Sequence, residues 1–129
     1  MKIAVIVIRS LMGALLLFGS VAYFLKLFPT PELTGGTKIF MAGMDAVVYL
    51  MPLVKATELA CGLALLVGRF VPLATVVLAP VVLNIVLYHA FLDPATIGAG
   101  VFLLVGGLFL AYAHRSHFKS LLAMKATLG

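Results

Sequence analysis

The chain has 129 residues, of which 64% are hydrophobic and 10% are charged, and its formal net charge is +5 at pH 7. A soluble domain is about half apolar and about a quarter charged, so this composition excludes a water-soluble globule and indicates an integral membrane protein. The basic residues are scattered beside apolar segments, a pattern typical of topology signals and contacts to anionic lipid rather than of nucleic-acid binding. The single cysteine, Cys61, excludes a disulfide or a C-x-x-C relay within the chain.

The first apolar segment, residues 3–28, is long enough at ~1.5 Å per residue to cross the ~30 Å hydrocarbon core. Ser20-Val-Ala22 resembles the cleavage site of a signal peptide, but Arg9 lies inside the apolar run, so we expect a retained membrane helix. Prolines and glycines in residues 29–36 predict a loop. Residues 37–51 show apolar residues at helical spacing and predict a short interfacial helix.

Three further spans are predicted at residues 52–68, 71–91 and 96–113. In the second span small residues recur every four positions, which predicts a close-packed face formed by Ala56, Ala60, Ala64 and Gly68. Glu58 and Gly62 point roughly the other way, so both faces are expected to pack inside the bundle. The fourth span carries almost no polar residue and is expected to act as a scaffold. The fold class predicted is therefore all-α: an integral membrane four-helix bundle in a single domain, with a short interfacial helix between spans one and two.

The tail, residues 114–129, is basic and carries an apolar stripe of Phe118, Leu121 and Leu122, which predicts a helix lying on the membrane surface. With four spans, one side of the membrane holds most of the cations: Lys2, Arg69, Arg115, Lys119 and Lys125. The positive-inside rule then places both termini in the cytoplasm.

Five polar residues inside the spans are the candidate site: Arg9, Lys55, Glu58, Asn84 and His89. Placing a charged side chain in hydrocarbon costs free energy, so a charged residue inside a span is by default a candidate functional residue. Lys55 and Glu58 are three residues apart and share one helix face. Counting ~1.5 Å per residue puts Arg9 ~6 Å from Glu58 along the membrane normal, so an ion pair is expected, with Lys55 and Asn84 above it and His89 at the outer mouth.

Two interpretations of this polar ladder stay open. Arg9 and Glu58 form a structural salt bridge that fixes helix register, or the ladder lines a cavity between spans one to three that binds a head group or ring. His89 is either a structural hydrogen-bonding residue or a ligand. No nucleophile–base constellation and no metal-ligand spacing is found in the sequence, so no metal site is predicted.

Residues 53–58 (LVKATE), 68–74 (GRFVPLA) and 79–94 (APVVLNIVLYHAFLDP) resemble the DoxX family of small bacterial membrane proteins. Arg9, Gly13 and the Phe28-Pro-Thr-Pro loop fit the same pattern. The resemblance implies a four-helix bundle in the bacterial inner membrane, linked to terminal oxidase and thiosulfate–quinone systems. It implies that the five candidate residues are the family's polar positions. This chain lacks the paired cysteines of related thiol-relay proteins, which argues against direct dithiol chemistry.

The leading hypothesis is a non-catalytic protein without an intrinsic cofactor. It would be an accessory subunit of a quinone-linked redox system, meeting a membrane or periplasmic redox partner, or a bundle that binds a quinone or lipid. The alternative is a small transporter of protons or cationic lipophiles centred on Glu58, which would form a homo-oligomer. A purely structural factor is the third hypothesis.

Overall fold

A computed structural model describes residues 1–29, 32–126 and 128. Thr30 and Pro31 of the predicted loop, and Thr127 and Gly129 of the tail, lie outside the described residues. The described part contains no strand and five α-helices: α1 (Lys2–Leu25), α2 (Gly35–Ala46), α3 (Leu50–Val67), α4 (Val71–Leu92) and α5 (Gly98–Ala113). Short 3-10 helices at Pro94–Thr96 and Arg115–His117 flank α5.

The predicted fold class is confirmed: the protein is an all-α bundle with a short helix, α2, between the first two long ones. In the described part α1, α3 and α4 are long and apolar enough to cross a membrane, while α5 is an apolar helix of 16 residues. Apolar spans form helices because hydrocarbon offers no partner for a free backbone N–H or C=O. Composition alone therefore predicts these elements.

The helix ends follow local backbone chemistry. Lys26 adopts a left-handed conformation (φ 52°), and its N–H bonds back to α1, which ends three residues before the predicted limit. Gly68 (φ 83°) ends α3 in the same conformation, which glycine adopts without the steric penalty of a Cβ. The tail is not the continuous surface helix that the sequence predicts, because after Arg115–His117 the chain continues in turns through Leu122.

The bundle consists of α1, α3, α4 and α5, and each of these helices after α1 runs antiparallel to the bundle helix that precedes it in the chain. α1 packs mainly against α3, α3 against α4 and α4 against α5, and contacts between α1 and α5 close the ring. The apolar core comes from one face of each helix: Met12, Leu16, Cys61, Leu65, Val71, Ala74, Leu78, Val82, Leu103 and Leu110. α2 contributes no buried residue and lies against the end of α4, where the Thr37 hydroxyl donates to the Leu92 carbonyl at 3.2 Å.

The backbones of α1 and α3 approach closely at Gly13 and Gly62. A Cβ atom on Gly13 would lie 2.7 Å from the Gly62 carbonyl oxygen and 2.8 Å from the Leu66 amide nitrogen. Of the two faces of α3 that were expected to pack, the one with Glu58 and Gly62 is buried, whereas Ala56 and Ala60 on the alanine face are exposed. The buried face carries Glu58, Cys61, Gly62 and Leu65.

Gly13→Ala is expected to lower the free energy of unfolding by about 1–3 kcal/mol, because the added methyl meets backbone atoms that move only if the two helices separate. Gly19→Ala is the matched control in the same helix, since a Cβ there meets no atom within 4 Å. It should be neutral or slightly stabilising. Thermal melting in detergent, followed by circular dichroism, measures both, and equal melting temperatures for the two variants would contradict the close contact.

Candidate functional site

Lys55 and Glu58 form an ion pair on the inner face of α3. The Lys55 Nζ lies 3.1 Å from the Glu58 Oε2, and the side chains are 21% and 7% exposed. It is the one side-chain ion pair within 4.0 Å in the part of the chain that the structure describes. Nζ also lies 6.0 Å from the ring centroid of Tyr23 on α1. The nearly buried carboxylate of Glu58 is thus neutralised within its own helix, as the three-residue spacing allows.

The expected ion pair between Arg9 and Glu58 is not formed. The Arg9 Nη1 donates instead to the carbonyl oxygens of Leu65 (2.9 Å) and Leu66 (3.1 Å), in the last turn of α3. The depth estimate was wrong because the contact of Gly13 with Gly62 offsets α1 along α3, which places Arg9 beside the last turn of α3. Seven residues, or ~10 Å of helix, separate that end from Glu58.

Arg9 caps the C-terminus of α3. The last carbonyls of a helix have no partner within the helix, and a cation is stabilised there by the helix dipole. The amides of Gly68 and Arg69 donate to the Ala64 carbonyl, and Arg9 satisfies the next two carbonyls. Gly68 also leaves room for the guanidinium, since a Cβ there would lie 2.8 Å from the Arg9 Cζ.

Asn84 and His89 do not join the other three predicted residues. Asn84, on α4, is exposed and makes no hydrogen bond to any described residue. The His89 Nδ1 lies 2.8 Å from the Ile85 carbonyl oxygen in its own helix, and its ring meets the Tyr88 ring edge-on at 5.1 Å between centroids. Of the five candidate residues, the structure brings only Lys55 and Glu58 into contact, while Arg9, Asn84 and His89 make no hydrogen bond or ion pair with that pair.

A cavity of about 630 Å³ lies elsewhere, between α4 and α5, with Met12 of α1 in its wall. We call it the α4/α5 groove. Its lining is almost wholly apolar, and one end is bordered by the tail; the lining residues are Met12, Thr75, Val76, Leu78, Ala79, Val82, Leu103, Leu104, Gly107, Leu108, Ala111, Tyr112, Arg115, Phe118, Leu121 and Leu122. None of the five predicted residues lines it, and the fourth span, expected to be a scaffold, forms one wall.

Arg115 supplies the charge at the tail end of the α4/α5 groove. Its Nη1 donates to the Tyr112 carbonyl oxygen at 2.9 Å, and its Cζ lies 4.5 Å from the centroid of the Tyr112 ring. No side-chain carboxylate in the described part lies within 4.0 Å of it. Since a guanidinium has five N–H donors, this fixed cation keeps donors for an anion. Sequence reasoning assigned Arg115 to the surface tail; the missed signal was its spacing from Tyr112, one helical turn away.

No group of three His, Cys, Asp or Glu side chains that could hold a metal ion occurs among residues 1–29, 32–126 and 128. The polar groups at the groove offer hydrogen bonds and one positive charge. Comparison with protein-family models, with curated proteins and with solved structures gives no match.

Double-mutant cycles in detergent should separate the two arrangements of charge. Lys55→Met and Glu58→Gln are expected to couple by on the order of 1 kcal/mol in unfolding free energy, because each removes the other's partner. Arg9→Met and Glu58→Gln should be additive within about 0.5 kcal/mol, because they share no contact. Strong coupling in the second cycle would restore the Arg9–Glu58 pair.

Arg9→Met should destabilise the protein by about 1.5–3 kcal/mol, the range for hydrogen bonds from a charged donor, because the carbonyls of Leu65 and Leu66 lose it. Arg9→Lys keeps the charge at the helix end and should fall between Arg9→Met and the parent. Melting temperatures in one detergent provide the comparison. Equal melting temperatures for Arg9→Met and the parent protein would show that the Arg9 cap contributes nothing to the free energy of unfolding.

Proposed function

We propose that this chain is a multi-pass membrane protein that binds an anionic phospholipid, with one acyl chain in the α4/α5 groove and the phosphate at Arg115. The observation that carries the proposal is the juxtaposition of a large apolar cavity with an arginine at its end that has no side-chain carboxylate partner within 4.0 Å among the described residues. On this proposal the protein binds and presents a lipid rather than transforming it.

The groove has the size and lining of a lipid site. Ligand pockets span about 300–1,000 Å³ and are mostly apolar, with a few polar groups that orient the ligand. The α4/α5 groove, at about 630 Å³, fits that range and carries few polar side chains. The hydroxyl of Thr75 is occupied, since it donates to the Val71 carbonyl at 2.8 Å. The long apolar wall therefore suits a hydrocarbon chain.

Arg115 suits a phosphate. Guanidinium groups bind phosphates through charge-assisted, often bidentate hydrogen bonds. Stacking on Tyr112 and the bond to its carbonyl hold the group in place before a ligand arrives, so less entropy is lost on binding. Lys119 follows one turn later in the sequence and adds positive charge to the same segment. A neutral quinone would leave this charge unused.

The proposed membrane arrangement supports the same ligand. We infer four spans, with α5 as the shortest, and both termini on the cytoplasmic side of a bacterial inner membrane. Residues at the Arg115 end include Lys2 and Arg69, and the positive-inside rule places such an end in the cytoplasm, where anionic lipids attract basic residues. The resemblance of residues 53–94 to the DoxX family is consistent with this placement.

The positions of Glu58 and of the α4/α5 groove favour lipid binding over the transporter hypothesis. The transporter centred on Glu58 requires a carboxylate that exchanges protons, whereas Glu58 is held 3.1 Å from the Lys55 ammonium and lines no part of the groove. A quinone-linked accessory subunit remains a prediction of the resemblance. In the experiment below, that role would appear as a bound quinone or a co-released redox protein.

Native mass spectrometry of the protein released gently from its membrane should show one added phospholipid, anionic in class. Arg115→Gln should lower the retained anionic lipid about tenfold or more, because the charge partner of the phosphate is lost. Arg69→Gln is the matched control: it removes an exposed arginine that does not line the groove and should leave retention unchanged.

Gly107→Leu provides a second test. Gly107 lines the groove, and a Cβ there meets only the Met12 Cε, at 4.0 Å, so an added side chain begins in open space beside the cavity. The variant should fold and lose bound lipid of every class. Equal lipid retention in Arg115→Gln, Gly107→Leu and the parent would contradict the proposal, as would a quinone or a consistently bare chain.

A further inference from the structure

Asn84 is a polar side chain with no partner near the middle of a membrane-spanning helix. It lies ~4 Å from the midpoint of α4 at ~1.5 Å per residue. Its side chain is exposed. No described residue donates a hydrogen bond to its carboxamide oxygen or accepts one from its carboxamide N–H groups. Water satisfies such a group on a soluble protein. In hydrocarbon nothing does, and polar side chains there face a partner or a cavity.

Asn84 belongs to a regular stripe along the outer face of α4: Leu73, Val77, Pro80, Asn84, Leu87 and Phe91. All six are exposed, and their spacing alternates between four and three residues, which is the seam spacing of paired helices. The stripe lies opposite the buried residues of α4, such as Ala74 and Leu78. It shares no residue with the α4/α5 groove, which uses a different side of the helix.

We propose that this stripe is a homodimer seam, in which α4 packs against α4 of a second copy and the two Asn84 carboxamides hydrogen-bond to each other. A carboxamide carries two N–H donors and an acceptor oxygen, so it complements a copy of itself. Two copies with the same membrane orientation are related by an axis along the membrane normal. Asn84 then meets its equivalent at the same depth without any adjustment of register.

The stripe favours a second copy over a different partner. A charged partner in hydrocarbon would call for an opposite charge, and the stripe has none. Asn84 is its sole polar member, the arrangement by which one seam asparagine specifies register and oligomeric state in paired helices. Pro80 and Leu87, its neighbours on the seam one helical turn to either side, are apolar and offer the carboxamide no other hydrogen-bond partner.

Cysteine cross-linking in native membranes tests the seam directly. In a Cys61→Ala background, Leu87→Cys places a thiol on the stripe, and Val105→Cys places one on an exposed face of α5 outside both the stripe and the groove. Oxidation should cross-link most of the Leu87→Cys protein as a dimer and little of the Val105→Cys protein. Equal cross-linking at the two positions would overturn the proposal.

Asn84→Leu tests the carboxamide itself. It replaces a lipid-facing polar group by an apolar one, so the variant should fold at least as well as the parent. Energy transfer between labelled copies in liposomes should show dimerisation weakened about 3- to 20-fold, the range expected for interhelical hydrogen bonds in membranes. Asn84→Gln keeps a carboxamide at this position and should retain most of the parent's dimerisation affinity. A parent protein that stays monomeric at high density, or an unchanged affinity in Asn84→Leu, would overturn the seam.

Discussion

The close contact of α1 and α3 at Gly13 and Gly62 sets the geometry on which the other features depend. Two backbones can approach this closely only where neither residue has a side chain. Once they do, the antiparallel pairing puts Arg9 beside the last turn of α3. The guanidinium then completes the hydrogen bonding of that helix end, and Glu58 is left to pair within its own helix.

In this arrangement each charge inside the bundle has a partner within the protein. The cation of Arg9 is bound to carbonyl oxygens, and the charges of Lys55 and Glu58 neutralise each other. Each buried charge thus has a partner, which is the condition under which charges are tolerated in hydrocarbon. The two polar residues on which the proposals rest lie on the outer part of the molecule: Arg115 at the end of the groove and Asn84 on the exposed face of α4.

Helix α4 links the two proposals. One side of it lines the α4/α5 groove, its inner face packs in the core, and its remaining face carries the Asn84 stripe. Lipid binding and self-association would therefore use separate surfaces of one helix, so that a change in either is measurable without the other. The almost complete absence of polar residues from α5 has a use on this view, because it gives the groove a wall suited to hydrocarbon.

The sequence by itself determined the all-α fold, the presence of helices long and apolar enough to cross a membrane, and the approximate helix limits. A span in hydrocarbon must satisfy its backbone internally, so these elements are a local property of each segment. The sequence also placed Lys55 and Glu58 on one face, since that depends only on helix geometry. Only the tertiary structure decided that Arg9 reaches Leu65 rather than Glu58, which of the two expected faces of α3 meets α1, and that the cavity lies against α5. These outcomes depend on the shift of each helix along its axis, where one residue corresponds to about 1.5 Å, and on its rotation about that axis, where one residue corresponds to about 100°. Both are set by the summed packing of all four helices, which the pattern of one segment does not contain.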